Sequence, residues 1–159
     1  MNYSKLNTPN IRIASETILG VIFLLCGCFI YLLFRSKTLY IHQWGHTLGL
    51  SKVIDTLRKQ VEGWNVSEFI KFSLPDGLYC AAYILIMDAI WHNDKRKIKY
   101  YIISFVPFIT ISSELLQYFG LVMGTFDLYD LMCYMIPLII YFTCNYNLLK
   151  FNKLKTQCL

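Results

Sequence analysis

Four apolar stretches, separated by charged or turn-forming segments, dominate the pattern along this chain. Residues 17–34 carry no charge, and Glu16 and Arg35 close the two ends. Further apolar runs cover 74–91, 100–119 and 128–148. Each approaches the roughly 20 residues that a helix needs to cross a bilayer. Hydrocarbon offers backbone N–H and C=O groups no partner, so runs of this kind satisfy themselves as helices. The pattern predicts an all-α fold, a polytopic membrane protein with four transmembrane helices in a single membrane domain over 1–159. Pro107 should kink the third span, because its ring removes a bond to Ile103.

The period changes between the first two spans. Ile54, Leu57, Val61 and Trp64 recur at helical spacing, with Asp55, Arg58, Lys59 and Glu62 between them. That alternation predicts an amphipathic interfacial helix in the first extracytoplasmic loop. His42 and His46 stand four apart, but two ligands do not make a metal site, and Trp44, Gly45 and Gly49 suit an interfacial turn. The second span opens on Ser73-Leu74-Pro75-Asp76, which reads as a capping box. Proline is tolerated in a first helical turn, and Asp76 would face the exposed amides there. Leu25-Cys26-Gly27-Cys28 resembles a lipoprotein cleavage box, yet the apolar run continues through Phe29 to Phe34. An uncleaved first helix is therefore expected.

Composition agrees with this layout. The chain has 159 residues, 56% hydrophobic and only 16% charged, where a soluble domain carries about a quarter charged residues. The net charge of +5 does not point to nucleic acid, because the basic residues flank the apolar runs. Lys95, Arg96, Lys97 and Lys99 crowd one short loop, and Lys150, Lys153 and Lys155 follow the last run. The Gly120–Phe126 loop has no Lys or Arg. The positive-inside rule then puts both termini in the cytoplasm and that loop outside. The six Lys and Arg residues between Arg35 and Ser73 run against the rule, which long loops obey less strictly. Six cysteines form no CxxC pair and no zinc spacing, and five of them lie in apolar runs, so no disulfide framework is expected.

Candidate chemistry concentrates in one stretch. Glu114 interrupts the third apolar run about five residues from its outer end, roughly 8 Å deep at helical rise. A charge in hydrocarbon is costly and marks a functional site by default. Gln117 shares its face, and Asp127 and Asp130 open the fourth span at the same level as Asp76. Tyr134 follows Asp130 at helical spacing, with Pro137 and Tyr141 beyond it. Tyr79, Cys80, Tyr83 and Met87 follow Asp76 in the same way. Tyrosines on those stripes can donate hydrogen bonds to carboxylates where lipid cannot. A shallow, outward-facing polar pocket is therefore expected, with Gln117, Asp76, Asp127, Asp130, Tyr83 and Tyr134 as ligand-binding residues. Glu114 is the candidate catalytic acid or base. Asp76, Asp127 and Asp130 are also well placed simply to cap helices. No nucleophile has an activating partner, so the residues alone leave enzyme status open. No cofactor and no metal are called for.

Glu114-x-x-Gln117, a short outer loop and Asp127-x-x-Asp130 opening the last span resemble the VanZ-like family of small bacterial membrane proteins. The similarity covers residues 74–148. It implies a four-helix layout in the bacterial cytoplasmic membrane and action at its outer face on a membrane lipid or envelope precursor. The founding member is linked to resistance to the glycopeptide teicoplanin. The chain departs from the family pattern in two places. Gly124-Thr125 stand where an arginine is expected, and Tyr134 stands where an asparagine is expected. The arginine would be the natural counter-ion for the acids. Beside this reading stands a second, a non-catalytic membrane subunit or anchor with a protein partner or a second copy of itself. Four spans without internal repeats offer little pore for a channel or transporter.

Overall fold

The computed structural model describes residues 8–36, 40–94 and 96–157, and the side chains of 11–36, 43–94 and 96–146 within them. Among these the chain is all helix, with no strand. The elements are α1 (Thr8–Phe34), α2 (Tyr40–Thr47), α3 (Ser51–Val61), α4 (Glu68–Ile90), α5 (Ile98–Tyr118) and α6 (Leu128–Gln157). Three of them, α1, α4 and α6, are long and apolar enough to cross a membrane. α5 is as long as a span, but Lys99, Ser112, Ser113, Glu114 and Gln117 dilute its apolar character.

α4 is the hub, touching α1, α5 and α6. Small residues let its neighbours come close. A methyl group built on Gly20 or Gly27 of α1 would meet Ile86 at 2.7 Å or Tyr79 at 3.2 Å. One built on Gly77 of α4 would meet Cys133 of α6 at 2.9 Å. Where lipid removes the hydrophobic drive to associate, close packing of this kind holds helices together. The buried centre is Cys80, Ile84, Ile103 and Tyr141, with Tyr83, Met87, Tyr100, Tyr134 and Leu138 around it.

The helix boundaries depart from the sequence expectation. α4 begins at Glu68, six residues before the expected start, and Ser67 precedes it without a side-chain cap. Pro75 is therefore inside the helix and fully buried, and Ser73–Asp76 is not a capping box. The amide lost at Pro75 does not stop the helix, because neighbouring groups can re-satisfy freed carbonyls at membrane depth. Close by, the Arg35 Nη2 donates to the Phe72 carbonyl at 3.3 Å. α1 likewise starts nine residues before the first uncharged run.

The segment after α1 holds two short helices rather than one. Ile54, Leu57 and Val61 of α3 are half-buried while Trp64 is exposed. α3 leans on the end of α1, where Arg58 Nη1 donates to the carbonyls of Leu32 (3.0 Å) and Arg35 (2.8 Å). Those carbonyls have no partner within their own helix, and a cation there also suits the helix dipole. His46 lies in α2, and the side chain of His42 and the whole of Lys95 and Cys158 lie outside the described residues. In the turn before α5, Asp94 accepts from the backbone N–H and guanidinium of Arg96 at 2.6–3.1 Å. Those bonds hold its carboxyl below the ordinary range.

Candidate functional site

Glu114 is buried, 7% exposed, on the face of α5 that meets the start of α6. Its Oε2 accepts the backbone N–H of Asp127 at 3.4 Å. An α-helix leaves its first amides unpaired and positive, so a carboxylate brought from the neighbouring helix suits that end. Asp127 itself caps α6, its Oδ1 accepting the Tyr129 N–H at 2.8 Å. Capping accounts for Asp127. It does not account for Asp130, whose Oδ1 is buried without a hydrogen-bond partner. Nor does it account for Asp76, two turns inside α4.

These groups converge. The Asp76 carboxylate lies 3.7 Å from Arg35 Nη2, and the charges of Asp130 and Glu114 are near enough to act on it, with Tyr134 beside them. Asp130 and Asp127 act in turn on Glu114. Four helices supply the cluster: α1 through the residue following it, α4, α5 and α6. Gln117 stands at its edge, its side chain under the loop at Gly124, where a methyl group would meet it at 2.7 Å. Gly124 has φ +143°, a conformation that only glycine adopts freely. The loop that lacks the expected arginine thus uses a glycine to fold back over Gln117.

Sequence reasoning missed Arg35. Its Nη2 lies 3.7 Å from Asp76 Oδ2, and its guanidinium stacks over Tyr31 and Phe72 at 5.3 and 4.9 Å. Its Nε is buried without a partner. A counter-ion for Asp76 thus comes from the residue that follows the first helix. The available signal was its position as the charge that closes the first apolar run.

Tyr83 does not join the cluster. Its hydroxyl donates to the Ile102 carbonyl at 2.7 Å, two turns along α4 from Asp76. It braces α5 just before Pro107, where the ladder of backbone bonds is interrupted. Tyr79 also leaves the stripe, turning edge-on to Tyr31 on α1.

A second polar cluster occupies the opposite end of the bundle. Asp88, 3% exposed, accepts from Lys99 Nζ at 2.6 Å and from the Tyr141 hydroxyl at 2.8 Å. Arg12 reaches the same carboxylate at 3.4 Å and pairs with Glu16 at 2.6 Å. The i,i+4 spacing of Arg12 and Glu16 was the sequence sign of this network. Through Lys99, Asp88 ties the end of α4 to the start of α5.

Comparison with family profiles, with curated proteins and with solved structures gives no match to this chain.

Proposed function

We propose that this chain is a VanZ-like integral membrane protein of the bacterial cytoplasmic membrane. In this reading it acts at the outer face on the polar head of a lipid or cell-envelope precursor and contributes to tolerance of glycopeptides such as teicoplanin. The observation that carries the proposal is the gathering of buried Glu114 with half-buried Asp76, Asp130 and Arg35, where the Asp130 Oδ1 and Arg35 Nε atoms are themselves buried and left without partners. Buried polar atoms without partners cost free energy, and a ligand that supplies the missing bonds recovers it. Carboxylate oxygens outnumber donors here, so the fitting head group is rich in hydroxyl or ammonium donors. Glu114 is the group poised for proton transfer to or from such a ligand.

Four crossings follow from the topology in this reading. α4 and α6 run in the same sense, with Gly77 beside Cys133 near one end and Asp88 bonded to Tyr141 near the other. A chain that crosses with α4 and crosses again in the same direction with α6 must return between them, and α5 is that return. Lys99 at its start joins the Asp88 cluster, and Glu114 near its end joins the other. The basic loop and tail then mark the cytoplasmic side.

The test is complementation of a deletion strain challenged with teicoplanin and other envelope-directed agents. Wild-type chain restores growth, while Glu114→Gln accumulates in the membrane to normal levels and restores none. Loss of accumulation in Glu114→Gln would make the acid a structural tie between α5 and α6 and remove the functional reading.

A further inference from the structure

α1 and α6 each pack on α4, and between them lies a furrow of about 560 Å³. Leu19, Phe23, Leu78, Ala81, Ile136 and Ile140 are among its apolar walls. From Leu74 to Asp88 it follows α4 for fourteen residues, about 21 Å at helical rise. One bilayer leaflet has about 15 Å of hydrocarbon, so an extended acyl chain fits along it. The furrow is polar at one end only, where Arg12, Glu16, Asp88 and Tyr141 meet.

That end has bonding capacity to spare. The Arg12 side chain is 40% exposed, and a guanidinium carries five donors. Its contacts to Glu16 and Asp88 engage only the Nε and Nη2 positions. Glu16 Oε2 is buried and has no partner, and neither has His92 Nδ1. Glu16, Asp88 and His92 bring one ligand atom each to within 4.8 Å of the others. A metal ion is a poor occupant, because Arg12 and Lys99 already place two cations on these carboxylates. A group that both accepts from Arg12 and donates to Glu16 answers the site better.

We infer that the furrow holds one acyl chain of a phospholipid with a protic head group. The phosphate lies against Arg12, and a head-group hydroxyl or amine donates to Glu16 Oε2. Guanidinium matches phosphate in charge and in its forked geometry. The hydrocarbon tail adds little preference of its own, since the surrounding membrane is equally apolar. Discrimination therefore falls to the head group. Phosphatidylethanolamine and phosphatidylglycerol both offer a donor beyond the phosphate, and phosphatidylcholine offers none.

The full chain, reconstituted in nanodiscs of equal parts of these three lipids with identical oleoyl chains, is released and weighed by native mass spectrometry. One ethanolamine or glycerol lipid stays bound, at least tenfold over choline lipid. Arg12→Gln lowers retention of every lipid about tenfold, and Glu16→Leu abolishes the preference over choline lipid. Ala81→Phe, which fills the furrow midway, removes retention while the melting temperature stays within a few degrees of wild type. Equal retention of choline lipid by the wild type would overturn the inference, as would an Ala81→Phe chain that still holds lipid. A lipid-free dimer that Ala81→Phe dissociates would overturn it too, since a second copy would then cover the furrow. The wild-type comparison and Ala81→Phe decide the matter even if Arg12→Gln fails to fold.

Discussion

Asp88 and Lys99 show how differently two partners of one acid can matter. Both contacts are short, but Lys99 Nζ is a buried cation with a side chain 10% exposed, whereas Tyr141 brings a neutral hydroxyl. Asp88→Asn strips the charge partner from Lys99, and an unpaired buried charge costs about 3–5 kcal/mol. Tyr141→Phe removes one hydrogen bond to a charged group, about 2 kcal/mol. Thermal unfolding in a fixed detergent should rank Asp88→Asn as the more damaging by a clear margin. Equal melting temperatures would mean that Lys99 finds another anion or water, and that this pair does not hold α4 to α5.

At the scale of elements, the seam between α4 and α6 depends on Gly77. Alanine there gains helix propensity worth about 1 kcal/mol over glycine. The added methyl would lie 2.9 Å from Cys133 Cβ and 3.3 Å from its carbonyl oxygen, both close to the backbone and unable to swing away. Overpacking typically costs about 1–3 kcal/mol, so the clash should win for Gly77→Ala and win outright for Gly77→Leu. Both variants should melt below wild type in detergent, in that order. A Gly77→Ala chain more stable than wild type would show that the seam can open without cost.

The same scale shows what the sequence reveals and what it hides. Apolar runs mark α1, α4 and α6 because hydrocarbon imposes its period directly on composition. Their starts are not marked. Pro75 looks like a first-turn proline, yet the helix continues seven residues upstream, since nothing local in Glu68–Leu74 opposes helix. The meeting of Glu114 with Asp127 is legible because a short loop leaves α5 and α6 no other arrangement. Arg35 is not legible as a partner of Asp76, 41 residues later, because that contact depends on the antiparallel packing of α1 on α4. Tyr83 shows the converse error. Helical spacing puts it in line with Asp76, but its hydroxyl donates instead to the Ile102 carbonyl on α5.

For the whole molecule, the proposed topology makes an accessible prediction. Met123, 99% exposed in the outer loop, and Asn93, in the basic turn, lie at opposite ends of the bundle. In a chain without its native cysteines, a membrane-impermeant maleimide applied to intact cells should label Met123→Cys and not Asn93→Cys. Opening the cells should expose the second site. Labelling of both from outside would abolish the four-crossing arrangement, and labelling of Asn93→Cys alone would reverse it.

The two polar clusters sit closer together than a bilayer is thick. Asp76 and Asp88 are twelve residues apart on one helix, about 18 Å at helical rise, against roughly 30 Å of hydrocarbon. In the proposed four-crossing arrangement water would follow the charges inward from both faces, and the insulating part of the bundle would reduce to a short plug. Ile103, fully enclosed, is its middle, with Cys80 and Ile84 beside it. Shaving that plug with Ile103→Ala should let protons through, and liposomes carrying the variant should dissipate an imposed pH gradient faster than those carrying wild type. Unchanged dissipation would mean that the remaining side chains close the gap and that the seal does not depend on one residue.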